Sequence, residues 1–297
     1  MFTSALVGID LSAAEPPLLD CVTDLRTWGV ERAVLAHVIH VDYGRFAGLG
    51  HEEHYRAWLA ERAATLADAG LTVETSVTAS GRPAVELLAR AGEHGADLVV
   101  VGSRSQQLTD RLFLGSVAAG VVRAAEVPVL IERLEPADDG TGERCVSACE
   151  RSLERVLLAT DLSEESARAE EAAVHLARRA GSIDCLTVVG GDGRGAAGGL
   201  SVEHADVAAH ALLDRITAAG GRGAVRIEHG DPSARVPTVA AEGYSMVIVG
   251  KHGRGRLGGA LIGSTAMRIA ETAGVSVLVV PLRRWTWPSR SSSRRPR

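Results

Sequence analysis

The sequence predicts an α/β protein of two tandem, doubly wound, five-stranded parallel sheets (Rossmann-like, strand order 3-2-1-4-5), and three observations carry that prediction. Hydrophobic residues make up 46% of the 297 residues and aromatics only 3%. The cores must therefore be built from Ala, Val, Leu and Ile, the material of strands covered on both faces by helices. Short β-branched apolar runs alternate with segments of helical period, the pattern of parallel strands joined by right-handed crossovers. Finally, landmarks of the first half recur in the same order about 150 residues later.

The recurrence can be followed residue by residue. ALVGIDLS, ending at Ser12, answers to VLLATDLS, ending at Ser163, and Gly81-Arg82-Pro83 answers to Gly230-Asp231-Pro232. ADLVVVGS through Ser103 matches YSMVIVGK through Lys251, Leu114-Gly115-Ser116 matches Ile262-Gly263-Ser264, and VPVLI through Ile131 matches VSVLVV through Val280. Five landmarks in one order indicate a duplication.

The first copy should place strands near 4 to 9, 33 to 39, 72 to 78, 97 to 101 and 128 to 132. In the second copy they fall near 154 to 160, 183 to 189, 224 to 229, 245 to 249 and 276 to 280. Ser12 with Glu15, and Asp161 with Glu164, are spaced as capping boxes at the first helix of each copy. The domains follow as 1–133 and 153–283. Between them lies a polar linker, 134–152, containing Pro136, Asp138, Asp139, Gly140 and Gly142; a Ser- and Arg-rich tail, 284–297, should be disordered. The four cysteines, Cys21, Cys145, Cys149 and Cys185, lack zinc spacing, and free thiols are expected.

Charge narrows the function classes. A net charge of -5 and a pI near 6.1 oppose a nucleic-acid partner. The opening MFTSALVGIDLS does not read as a signal peptide, no segment approaches the length of a membrane span, and a cytoplasmic setting is expected.

The strongest chemical signal is VGKHGRGRLGGALIGST, Val249 to Thr265, directly after an apolar strand. From Gly250 to Gly263 it holds six glycines in 14 residues, which let the backbone turn tightly and approach a ligand. Gly263, Ser264 and Thr265 open a helix whose free N–H groups and dipole favour an anion. Lys251, Arg254 and Arg256 add positive charge, and the loop contains no acid. Phosphate binding is the reading, against the plainer one of a loop that only connects a strand to a helix. The embedded Gly253-x-Gly255-x-x-Gly258 follows the fourth strand rather than the first, so it is a weak dinucleotide fingerprint, and there is no Walker A sequence. Asp10 and Asp161 close the first strand of their copies. With strand order 3-2-1-4-5, Asp161 faces the Gly250 loop at the switch point, suited to a ribose hydroxyl or a base amino group; an ordinary helix cap is the alternative.

These residues resemble the universal stress protein family, specifically its tandem, ATP-binding members. The family's nucleotide motif, G-x2-G-x9-G-[ST], is matched by Gly250, Gly253, Gly263 and Ser264, and the resemblance covers about residues 3 to 133 and 153 to 281. It implies that Asp161 and the backbone around Val188 receive adenosine, while Gly250, Gly253, Gly263, Ser264 and Thr265 hold the phosphates of ATP, with or without magnesium. It also implies paired units, as a homodimer or an internal pseudo-dimer formed through terminal strands ending at Ile131 and Val280. In the first copy the corresponding residues are Asp10, Val38, Gly102, Ser105, Gly115, Ser116 and Val117. Ser105 departs from the motif, and Asp110 reduces the loop's charge: Arg104 and Arg111 against Asp110 leave +1, where the second loop has three cations and +3. Weaker or absent binding is therefore expected in the first copy.

The function expected is an ATP-binding regulatory or stress-response protein acting through nucleotide-dependent conformation or interaction. Magnesium-holding carboxylates and a base are missing from the loop, so slow hydrolysis is the most it supports. A nucleotide-independent assembly module is the alternative. Adenylate transfer has less support, because neither VGIDLS nor LATDLS carries the motifs of such enzymes.

Overall fold

The computed structural model describes residues 2–10, 12, 15–41, 52–106, 111–112, 114–136, 143–145, 151–190, 201–253 and 262–282. The chain order in the first half is β1 (Ser4–Gly8), α1 (Glu15–Trp28), β2 (Arg32–His40), α2 (Glu52–Asp68), β3 (Thr72–Ser80), α3 (Pro83–Glu93), β4 (Leu98–Gln106), β5 (Arg111–Leu112), α4 (Ser116–Ala124), β6 (Val129–Pro136) and β7 (Glu143–Cys145). The second half holds β8 (Arg155–Ala159), α5 (Ala167–Leu176), β9 (Ser182–Val189), α6 (Val202–Ala218), β10 (Val225–His229), α7 (Pro232–Ala240), β11 (Met246–Gly250), α8 (Ser264–Thr272) and β12 (Ser276–Val280).

Each half has the expected parallel order: β3-β2-β1-β4-β6 and β10-β9-β8-β11-β12. The two do not stay separate sheets. β12 pairs antiparallel with β6, Val277 opposite Ile131 and Val279 opposite Val129, which joins both halves into one continuous sheet. The reason is physical: the fifth strand of each copy is short, apolar and unpaired on one side, and pairing the two edges satisfies backbone groups that would otherwise be exposed. Apolar layers cover both faces and cross the seam. One includes Leu25, Trp28 and Leu130 with Leu158 and Leu278; the other includes Val99 and Ile131 with Val247 and Val277.

Polar groups are buried at this seam. Glu132, on β6, is 2% exposed and its Oε2 accepts from Ser276 Oγ at 2.5 Å; burial, with Asp24 adding repulsion, pushes its carboxyl up to about 7. Arg133 donates to Ser103 Oγ at 2.6 Å and to the carbonyl of Ala270 on α8, and burial lowers its guanidinium to about 10.

Several local expectations change. α1 begins at Glu15 and α5 at Ala167, and neither capping box forms: Ser12 Oγ donates to Asp10 Oδ1, and Asp161 Oδ1 accepts from Ser163 N and Oγ. Both aspartates are used in turns ahead of the helices. β6 runs on through Pro136 and pairs with β7, inside the stretch 134–152 read as linker. Cys21 is disulfide-bonded, which corrects the free thiol expected there; α1 packs against β7, the strand that ends at Cys145. Cys185 is buried and free. The tail 284–297 lies outside the described residues.

Candidate functional site

The carboxyl ends of β8 and β11 lie side by side, Ala159 opposite Val249. A cavity of about 350 Å³ opens there, lined by Asp161, Val188, Gly250, Gly253, Gly263, Ser264 and Thr265 among others. These are residues from four separate stretches of the second half, brought together because the switch point leaves a crevice where neighbouring crossovers depart to opposite faces.

The glycines are needed for space rather than for unusual backbone angles. Neither Gly250, Gly253 nor Gly263 has positive φ. A Cβ on Gly253 would lie 2.6 Å from Asp161 Oδ2, and one on Gly250 would lie 3.0 Å from the carbonyl oxygen of His252. The Asp161 carboxylate therefore seats directly on the backbone of the glycine loop. Gly263 precedes α8 without a side-chain cap, and its own N–H goes to the carbonyl of Lys251 at 2.9 Å. A glycine at this position has no side chain to occupy the N–H groups of the helix's first turn, which leaves them to an anion.

The turn that presents Asp161 is held by a buried polar group. Leu162 is the one non-glycine residue of positive φ, 58°, among the described residues, a conformation that costs about 1 kcal/mol or more for such a side chain. Its N–H donates to Thr160 Oγ1 at 2.9 Å, and that hydroxyl in turn donates to Glu170 Oε1 at 2.9 Å. Glu170 is buried and faces Arg215 Nη1 at 3.4 Å. Sequence reading missed this network, because Glu170 and Arg215 carry no motif and lie on helices.

Lys251 is placed differently from its expectation. It is 4% exposed and does not line the cavity; its Nζ donates to the carbonyl of Ala125, at the end of α4 in the other half, at 2.7 Å. Burial lowers its ammonium pKa, with Glu126 acting in the opposite direction. The end of a helix presents an unpaired carbonyl and a negative dipole, and this buried ammonium answers both. Arg254 lies outside the described residues.

The first half has a cavity of about 390 Å³ at the equivalent place, lined by Asp10, Val38, Gly102, Ser116 and Val117. Gly115 precedes α4, again without a side-chain cap, but it does not line the cavity. Ser105 is in a strand: β4 continues to Gln106 and turns back onto β5, with Ser105 opposite Leu112. The chain therefore stays in the sheet where the second copy drops its loop against the aspartate. Leu134 crowds this cavity as well, lying 3.1 Å from where a Cβ on Gly102 would be.

A family model described as "Universal stress protein family" matches residues 1–133 and 152–281. A universal stress protein of Mycolicibacterium smegmatis is 30% identical over 218 residues, 71% of this chain and 69% of that protein. Universal stress protein YxiE of Bacillus subtilis is 43% identical over 67 residues, so that this chain spans only 45% of its length and matches it over 23% of its own. The crystal structure of a universal stress protein from Archaeoglobus fulgidus superposes with a TM-score of 0.70 at 23% identity, covering 94% of this chain and 96% of that one, which speaks to the fold alone.

Proposed function

The chain belongs to the universal stress protein family, and on that premise we propose that its second half binds ATP or a closely related adenine nucleotide. The protein then acts in regulation or stress response through nucleotide-dependent conformation or interaction. One observation carries the reading: the Asp161 carboxylate, the two glycines of closest approach and the uncapped start of α8 converge on a single cavity. The volume of about 350 Å³ lies in the range of small-molecule sites.

In this reading Asp161 and the backbone at Val188 hold the nucleoside, while Gly250, Gly253, Gly263, Ser264 and Thr265 line the phosphate end. The nucleotide supplies the negative charge that the α8 N-terminus receives. Magnesium enters only as a companion of ATP, and turnover, if any, is slow. No helix among the described residues is long and apolar enough to cross a membrane. The reading places the protein in the cytoplasm, with its units paired as a homodimer or as an internal pseudo-dimer.

The test is to denature purified protein, identify any nucleotide released, and titrate the wild type and a Gly263→Asp variant with ATP by calorimetry. A carboxylate at the start of α8 should weaken ATP at least tenfold through repulsion of phosphate. If the wild type releases nothing and gives no binding heat, the nucleotide-independent assembly module takes the lead. The observation favouring that second reading is the first half, where β4 stays in the sheet past the aspartate.

A further inference from the structure

The cavities of the two halves share one end and differ at the other. Strand register fixes which positions correspond: Gly8 lies opposite Val101 and Ala36, as Ala159 lies opposite Val249 and Leu186. Asp10 and Val38 therefore stand in the first half where Asp161 and Val188 stand in the second, and both pairs line their cavities. The side chains are also disposed alike. Val38 and Val188 pack against the same apolar layer, which holds Leu87 of α3 and Val236 of α7, and these two line the respective cavities as well. Asp10 and Asp161 each accept a serine hydroxyl on Oδ1, from Ser12 at 2.5 Å and from Ser163 at 2.6 Å. The end that would receive a nucleoside is thus kept in the first half, residue for residue.

The phosphate end is not kept. Val117, an exposed apolar side chain, replaces the hydroxyl of Thr265 at the start of the helix. β4 runs past Gly102 to Gln106, and β6 runs past Glu132, the partner of Gly102, to Pro136; β11 and β12 stop at the equivalent pair, Gly250 and Val280. On this extension Leu134 Cδ1 lies 3.1 Å from where a Cβ on Gly102 would be, with Leu18 Cδ2 at 3.6 Å, whereas the nearest atoms at the same point of Gly250 are all backbone. A charged phosphate brought against apolar side chains loses water and gains no donors in return, a cost that an uncharged ligand does not meet.

We propose that the first cavity is a second ligand site, taking an unphosphorylated nucleoside and refusing the triphosphate. Asp10 accepts from the ribose hydroxyls, and Val38 and Leu87 pack on the base. This rests on the nucleotide-binding reading above and deepens it: one chain binds a phosphorylated ligand in its second half and the uncharged parent of that ligand in its first.

The test uses the full chain, with ATP stoichiometry measured by equilibrium dialysis and adenosine titrated by calorimetry while saturating ATP holds the second half. A single ATP should bind per chain, and adenosine should still bind a single site with ATP present. Asp10→Ala should weaken that adenosine by ~10- to 100-fold through loss of a carboxylate hydrogen bond. Its ATP affinity should stay within about threefold of wild type, which also shows that the variant folds. Exclusion of adenosine by saturating ATP overturns the inference, as does unchanged adenosine affinity in Asp10→Ala. Two equivalent ATP sites per chain overturn it too, because phosphate then fits the first half. If wild type binds no ATP, the nucleotide reading itself fails and takes this inference with it; if a single ATP binds and adenosine is shut out, only this inference fails.

Discussion

The two halves share a fold and an aspartate turn, yet they treat the segment opposite that aspartate in different ways. In the second half β11 stops at Gly250 and the loop reaches the Asp161 carboxylate, where Gly253 leaves 2.6 Å between a hypothetical Cβ and Oδ2. In the first half β4 runs on to Gln106, and Ser105, the counterpart of Gly253, pairs with Leu112. Asp10 and Asp161 themselves differ little, each accepting from a serine hydroxyl two residues on. The halves therefore differ less in the carboxylate than in whether the opposite backbone lies against it.

The largest effect should come from making the second half resemble the first. Gly253→Ser places a Cβ against Asp161, and ATP affinity should fall by ~100-fold, equivalent to roughly 3 kcal/mol, as read by calorimetry. Wild-type affinity in that variant would break the comparison, because contact between aspartate and loop would then be dispensable.

The halves also differ in what they contribute to their shared seam, and Glu132 tests this. Its folded pKa of about 7 lies above the ordinary 4.5, so its favourable contribution is complete below 4.5 and is lost as pH rises toward 7. Glu132→Gln keeps an acceptor for Ser276 without the charge. It should be more stable than wild type by roughly 3 kcal/mol above pH 7, with the difference vanishing near pH 4, in denaturant titrations across that range. A constant difference at all pH values would show that Glu132 does not titrate at the seam.

Lys251 sharpens the comparison from the other side, as a residue of the glycine loop that serves the partner half. Lys251→Met should lower stability by about 1–2 kcal/mol through loss of the bond to Ala125, while ATP affinity stays within about threefold. A large loss of affinity with unchanged stability would restore the role that its place in the loop suggested. The smallest effect is expected from Ser105→Gly. It removes one obstacle but leaves the β4–β5 pairing, Leu134 and Asp110 in place, so the first half, produced alone, should gain less than about threefold in ATP affinity.

Much of the architecture was legible because its determinants are local. Alternating apolar runs and helical segments specified ten parallel-type strands in the order found in each half, and repeated landmarks specified the duplication. The glycine pattern located the cavity, since glycine excludes few backbone positions and marks close approach. Helix starts were less legible. Asp161 and Glu164 have the spacing of a capping box, but the same aspartate oxygen can serve a turn by accepting from Ser163, and only the competition between the two geometries decides.

The sequence by itself determined the fold class, the two copies and the glycine-rich stretch that lines the second half's cavity, because periodicity and residue size act over a few neighbouring positions. The tertiary structure alone decided that the two sheets become one, that Lys251 turns to a carbonyl 126 residues away in the chain, and that Cys21 is bonded. Each of these depends on which group stands opposite in space. A long side chain or an unpaired strand edge takes the best partner the packed molecule offers, and that partner is set by the fold rather than by the neighbouring sequence.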